Sequence, residues 1–100
     1  MELIVESPGI ELQESVRKLL DSKIDHLSKI YDQISNCLVV FRKQHAQDNR
    51  SYFVEAQMGV DKHMLFASYQ AHSFEAAIQA VSDGLAHQLH KHKEERQEIW

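Results

Sequence analysis

The sequence predicts an α+β fold of order β-α-β-β-β-α, a four-stranded sheet with two helices packed on one face. Three observations predict it. Two long stretches repeat apolar residues at helical spacing. Between and before them, shorter stretches are β-branched or alternate apolar with polar residues. The 100 residues hold no internal repeat and no linker long enough to divide them, so a single domain over residues 1–100 is expected.

Residues 2–6 read as a short strand. Ser7-Pro8-Gly9 signals a turn, because Pro presets φ and Gly tolerates a strained backbone. Leu12, Val16, Leu20, Ile24, Leu27, Tyr31 and Ile34 then step by three or four residues, which is one face of a long helix. Leu19 and Ile30 widen that stripe. The opposite side is self-complementary in charge. Glu14 with Lys18, Arg17 with Asp21 and Asp25 with Lys29 are spaced to pair along it. The start lacks a Ser or Thr cap, and Ser35-Asn36 is expected to end the helix.

Cys37-Leu38-Val39-Val40-Phe41 is continuous and β-branched, as suits a strand central in a sheet. Arg42 to Arg50 is polar and reads as a hairpin loop. Tyr52 to Met58 alternates, with Val54, Ala56 and Met58 on one face. Gly59 to Lys62 reads as a turn, and His63 to Ala71 as a fourth strand. Ser73 is a good N-cap for a second helix. Its stripe is Phe74, Ile78, Val81, Leu85 and Leu89, and it is expected to run to about Glu95. The first β-α-β unit should cross right-handed between parallel strands, and the later strands should form an antiparallel meander. One sheet face can cover both helical stripes.

Composition narrows the function. Cys37 is the only cysteine, which excludes a disulfide scaffold and fits a reducing compartment. The longest apolar run, Cys37 to Phe41, is far short of the ~20 residues a membrane helix needs. The acidic N-terminus does not resemble a signal peptide, so a cytoplasmic location without a membrane partner is expected. A net charge of −4 argues against a protein that merely coats nucleic acid. No Gly-rich loop could cradle a phosphate, and no nucleophile elbow occurs. A thiol in the apolar strand should be inert. No enzyme, catalytic residue, cofactor or small-molecule substrate is therefore expected. His87 and His90 share a helix face, but a tight metal site wants a third ligand, and none is expected. His26, His45, His63 and His72 read as surface side chains.

Two basic sets remain. His90-Lys91-His92-Lys93, with Arg96, suits either a helix C-terminus, where the dipole favours cations, or a tip that touches phosphates. Arg42, Lys43 and Arg50 stand at the two ends of the hairpin loop, where solvated cations are ordinary.

Taken together, these residues resemble the ribosome hibernation promoting factors, also called ribosome-associated inhibitor or sigma-54 modulation proteins. In the first helix the likeness lies in Ile10-Glu11-Leu12, Glu14, Arg17, Lys23, Leu27 and Tyr31-Asp32-Gln33-Ile34. In the strands it lies in Leu38-Val39-Val40 followed by Arg42, in Glu55-Ala56 and in Ala67-Ser68. The last helix carries the most specific part: Ala76-Ala77-Ile78, Asp83, Leu85, Gln88-Leu89 and Lys91-His92-Lys93. The resemblance implies a layout similar to a double-stranded RNA-binding domain. It implies binding to the small ribosomal subunit where messenger and transfer RNA would sit. On matching positions it implies ribosomal RNA contacts by Arg17, Lys23, Arg42, Lys91, His92 and Lys93.

The chain also departs from the family pattern. Gly84 and His87 stand where the family usually has Lys and Arg. Ser73 replaces an Asp cap, Glu75 replaces an aromatic residue, and the loop near residues 44–50 is longer. The chain resembles the short form of the family, without the extra C-terminal domain. Two other readings stand beside a ribosome-binding translation inhibitor. One is a relative that binds a protein through the open sheet face, using Phe53, Met64 and Phe66. The other is a metal- or pH-responsive module built on His87 and His90.

Overall fold

In the computed structural model, which describes residues 1–44 and 51–98, the order is β-α-β-β-β-α. The elements are β1 (Glu2–Glu6), α1 (Glu14–Ile30), β2 (Ile34–Lys43), β3 (Tyr52–Val60), β4 (His63–Ala71) and α2 (Phe74–Glu98). One mixed sheet holds the strands in the order β1-β2-β3-β4. β1 runs parallel to β2, and the β2-β3 and β3-β4 pairs are antiparallel. This is the α+β fold that the apolar patterns predict.

Ser7 to Ile10 closes a tight turn after β1. The Ile10 amide donates to the Ser7 carbonyl at 2.9 Å, and Gly9 takes φ +72. Pro followed by a positive-φ Gly is the type II pattern. α1 then begins at Glu14, and Gln13 offers no side-chain cap. All three expected pairs along its outer side form: Lys18–Glu14 and Lys29–Asp25 at 3.1 Å, and Arg17–Asp21 at 3.2 Å. They are exposed, so each contributes little.

α1 ends earlier than the apolar spacing suggests. Tyr31 is already extended, and Ile34 opens β2 opposite Val60. Both side chains are nevertheless buried, at 8 % and 7 % exposure. The stripe continues past the helix because the chain turns while still pointing apolar groups at one core. A register irregularity between Ile34 and Asn36 brings Ser35 and Asn36 close to Gly59. A Cβ at Gly59 would stand 2.9 Å from Ser35 Oγ and 3.0 Å from Asn36 Oδ1, so a larger residue there would make those two side chains shift.

Two other boundaries differ from the sequence reading. Arg42 and Lys43 belong to β2 and not to the loop, because they pair with Phe53 and Tyr52. The β3–β4 turn is only Asp61-Lys62, with φ +49 and +67. Both values suit a two-residue primed turn, whose twist matches the strands. The expected loop at residues 45–50, with His45 and Arg50, lies outside the described residues.

The core lies between one sheet face and both helices. Val16, Leu20, Ile24 and Leu27 of α1 and Ile78, Val81, Leu85 and Leu89 of α2 are buried. They meet Cys37, Val39 and Phe41 of β2 and Val54, Ala56 and Met58 of β3. Ser73 caps α2 as expected, its Oγ accepting from the Ala76 amide at 3.1 Å. α2 runs on to Glu98, beyond the expected end. Among the described residues, no helix covers the opposite sheet face.

Candidate nucleic-acid interface

Both helices start at one end of the sheet and finish at the other. Ile10 to Gln13, before α1, gather beside Ser73 to Glu75 at the start of α2. Tyr31, just past α1, meets His92 near the far end of α2 edge to face, with ring centroids 5.4 Å apart. The helical side of the molecule is thus two aligned rods with a groove between them.

Lys23 lies in that groove. It lines a narrow apolar cleft with Ile24 and Leu27 of α1 and Val81, Ser82 and Leu85 of α2. Lys23 is half-buried, as suits a long cation whose stem covers apolar surface. Arg17 lies about one and two-thirds turns earlier, exposed and paired with Asp21. Lys91 and Lys93 are both exposed near the far end of α2. Two residues apart on a helix, they project to opposite flanks. α2 continues five residues beyond Lys93 to Glu98. The helix dipole acts within the last turn, so dipole stabilisation alone accounts poorly for these two lysines.

His92 sits differently from its neighbours. It falls on the apolar stripe, three residues after Leu89, and its side chain is only 15 % exposed. Its Nε2 stands 3.0 Å from the Asp61 carboxylate, which also accepts from the Tyr31 hydroxyl. The His63 ring approaches at 5.5 Å between centroids. His92 therefore ties the end of α2 to the β3–β4 turn. The sequence reading missed this cluster, although the spacing Leu85, Leu89, His92 carries the signal. His63 remains exposed, as do His26 and His72.

Arg42 and Lys43 do not act together. Arg42 lies opposite Phe53 on the open sheet face, whereas Lys43 lies opposite Tyr52. The Lys43 ammonium stands 5.2 Å from the Tyr52 ring centroid, a cation–π distance. Of the cations that the resemblance implies, Arg17, Lys23, Lys91 and Lys93 belong to the helical side. Arg42 belongs to the other face, and His92 is turned inward.

Cys37 is 1 % exposed, and burial pushes its thiol up to about 11. A thiol held neutral in this way is a poor nucleophile. His87 and His90 are exposed on α2. Among the described residues, no three His, Cys, Asp or Glu side chains gather where a metal could be held.

Known proteins are similar to this chain in sequence and in fold. A ribosome hibernation promoting factor from Escherichia coli is 28 % identical over 94 residues, covering 94 % of this chain and 95 % of its own length. One of the same name from Pseudomonas putida is 26 % identical over 99 residues, covering 99 % and 93 %. A ribosomal subunit interface protein from Coxiella burnetii has the same fold, with a TM-score of 0.76 at 22 % identity over 94 % of this chain and 99 % of that one. The N-terminal domain of Thermus thermophilus Protein Y gives 0.75 at 17 % identity, over 92 % and 99 %. The family described as sigma 54 modulation protein / S30EA ribosomal protein matches residues 3–97, from β1 to the last turn of α2. With its element order and sheet topology also in agreement, this chain belongs to the sigma 54 modulation protein / S30EA ribosomal protein family.

Proposed function

We propose that this protein binds the small ribosomal subunit as a hibernation factor and holds the ribosome idle by occupying messenger and transfer RNA sites. One observation carries the reading: nearly full-length similarity to relatives named ribosome hibernation promoting factor. The reading is of a cytoplasmic, single-domain binding protein with no catalytic step. Its helical side meets ribosomal RNA. Lys23 approaches phosphates from the inter-helix groove, Lys91 and Lys93 from the end of α2, and Arg17 from the start of α1. Arg42 reaches RNA only at the margin of the sheet, and His92 supports the tip by holding α2 in place. Attraction between these cations and phosphates outweighs the net charge of −4 because the contacts are local.

Sedimentation with purified small subunits through a sucrose gradient tests this. The wild-type protein is expected to co-migrate with the subunit. Lys91→Glu with Lys93→Glu is expected to release it, with circular dichroism unchanged. Reversing two charges replaces two attractions with two repulsions, so the loss should exceed that of the double Ala variant. Failure of the wild-type protein to co-migrate overturns the function. Full co-migration of the double Glu variant overturns the role of the tip.

A further inference from the structure

We propose that the open face of the sheet is a docking surface for a cationic polypeptide segment. The proposal stands on the face itself and does not depend on what the helical side binds. Ile4, Met64 and Phe66 project from this face at 47 %, 60 % and 48 % exposure. The strand registers set Ile4 beside Leu38, then Gln57, then Phe66, so a row that is apolar except for Gln57 crosses the sheet.

Carboxylates border that row. The neighbouring row reads Glu6, Val40, Glu55 and Ser68. Glu6 and Glu55 are two strands apart, or about 10 Å. Glu2 lies on the other side of Ile4, about 13 Å along β1 from Glu6. Against these three acids the described part of the face offers one cation, Arg42, at its margin.

Charge complementarity selects the occupant. Nucleic acid and an anionic lipid surface would both bring negative charge against the carboxylates. A second copy docked symmetrically through this face would set acids against acids. An extended segment with Lys or Arg alternating with apolar side chains satisfies both features. Lying edge-on between the two rows, it turns its apolar side chains over Ile4 and Phe66 and its alternate cations over Glu6 and Glu55. The two sides of the molecule would then serve opposite partners, phosphates on the helices and a basic protein on the sheet.

The test measures fluorescence anisotropy of labelled 12-residue peptides mixed with the full chain. In all of them Val alternates with a second residue, which is Lys, Gln or Glu. The Lys peptide is expected to bind at least tenfold tighter than the Gln peptide and to weaken with salt, while the Glu peptide should not bind. Glu6→Lys with Glu55→Lys should weaken the Lys peptide at least tenfold, and Lys91→Glu with Lys93→Glu should leave it unchanged. Glu6→Gln with Glu55→Gln, expected to give a smaller loss, serves if the Lys pair fails to fold. No binding of the Lys peptide overturns the proposal, as does binding that neither Glu6/Glu55 pair alters. Displacement of the Lys peptide by an oligouridylate that the Glu6/Glu55 charge change strengthens would assign the face to RNA. Self-association in sedimentation that the same change abolishes would assign it to a second copy.

Discussion

The imidazole of His92 stands 3.0 Å from the carboxylate of Asp61, thirty-one residues earlier in the chain. This contact joins the end of the last helix to a two-residue turn. It adds a polar tie to the ring contacts that His92 makes with Tyr31 and His63, and together they hold the segment that carries Lys91 and Lys93.

Asp61→Ala should therefore cost about 1.5–3 kcal/mol, the range for a hydrogen bond to a charged group. Asp61→Asn should cost less, because an amide still accepts a hydrogen bond and Asn tolerates the positive φ. Urea unfolding measures the total. Amide exchange should quicken most over residues 87–93 and least around Val81. Uniform quickening along α2 would deny the contact its local role.

Neighbouring residues in the middle of α2 should respond in opposite directions. Leu85 is 1 % exposed, and Leu85→Ala should cost roughly 2–5 kcal/mol through the cavity it leaves. A Cβ added at Gly84 would stand 3.6 Å from the Ala67 Cβ, an ordinary contact. Gly84→Ala should thus stabilise by about 1 kcal/mol through helix propensity. For a chain of this size that raises the thermal midpoint by roughly 4–8 °C, readable by calorimetry.

Stability should fall at alkaline pH on account of Cys37. Its thiol is held at about 11 when folded, against 9.0 without burial. Between these values the unfolded chain loses the thiol proton first, so rising pH favours unfolding. The full contribution is present below about pH 9 and is lost by about pH 11, amounting to about 3 kcal/mol at most. Cys37→Ala should flatten this decline in denaturant titrations from pH 8.5 to 11. An equally steep decline in the variant would trace it to other groups.

Affinity for small subunits should depend steeply on salt. Contacts by Arg17, Lys23, Lys91 and Lys93 would give a log–log slope near −3 to −4, at roughly 0.7–0.9 per phosphate. Lys23→Ala should make the slope shallower by about one contact and leave the fold intact, since the residue is only half-buried at the helix surface. An affinity that salt does not change would place the binding energy elsewhere, with the sheet face the next surface to examine.

Element order, the buried stripe of each helix and the core side of β3 and β4 were legible in the sequence. Apolar spacing reports which side of an element avoids water, and that survives any tertiary arrangement. The same signal misplaced the end of α1, because Tyr31 and Ile34 stay buried after the backbone has left the helix. It also took Asp61-Lys62 as part of a longer turn, since neither residue is the glycine that usually marks a primed turn.

The sequence by itself determined the fold, the Ser73 cap and the presence of exposed lysines beyond the apolar stripe of α2. Only the tertiary structure decided how the basic residues divide. It set Arg42 and Lys43 on opposite sheet faces, brought Lys23 into the groove beside Ser82, and turned His92 inward to Asp61. Spacing along one element shows which way a side chain faces, but a polar partner such as Asp61 comes from a distant turn, and only folding brings the two together.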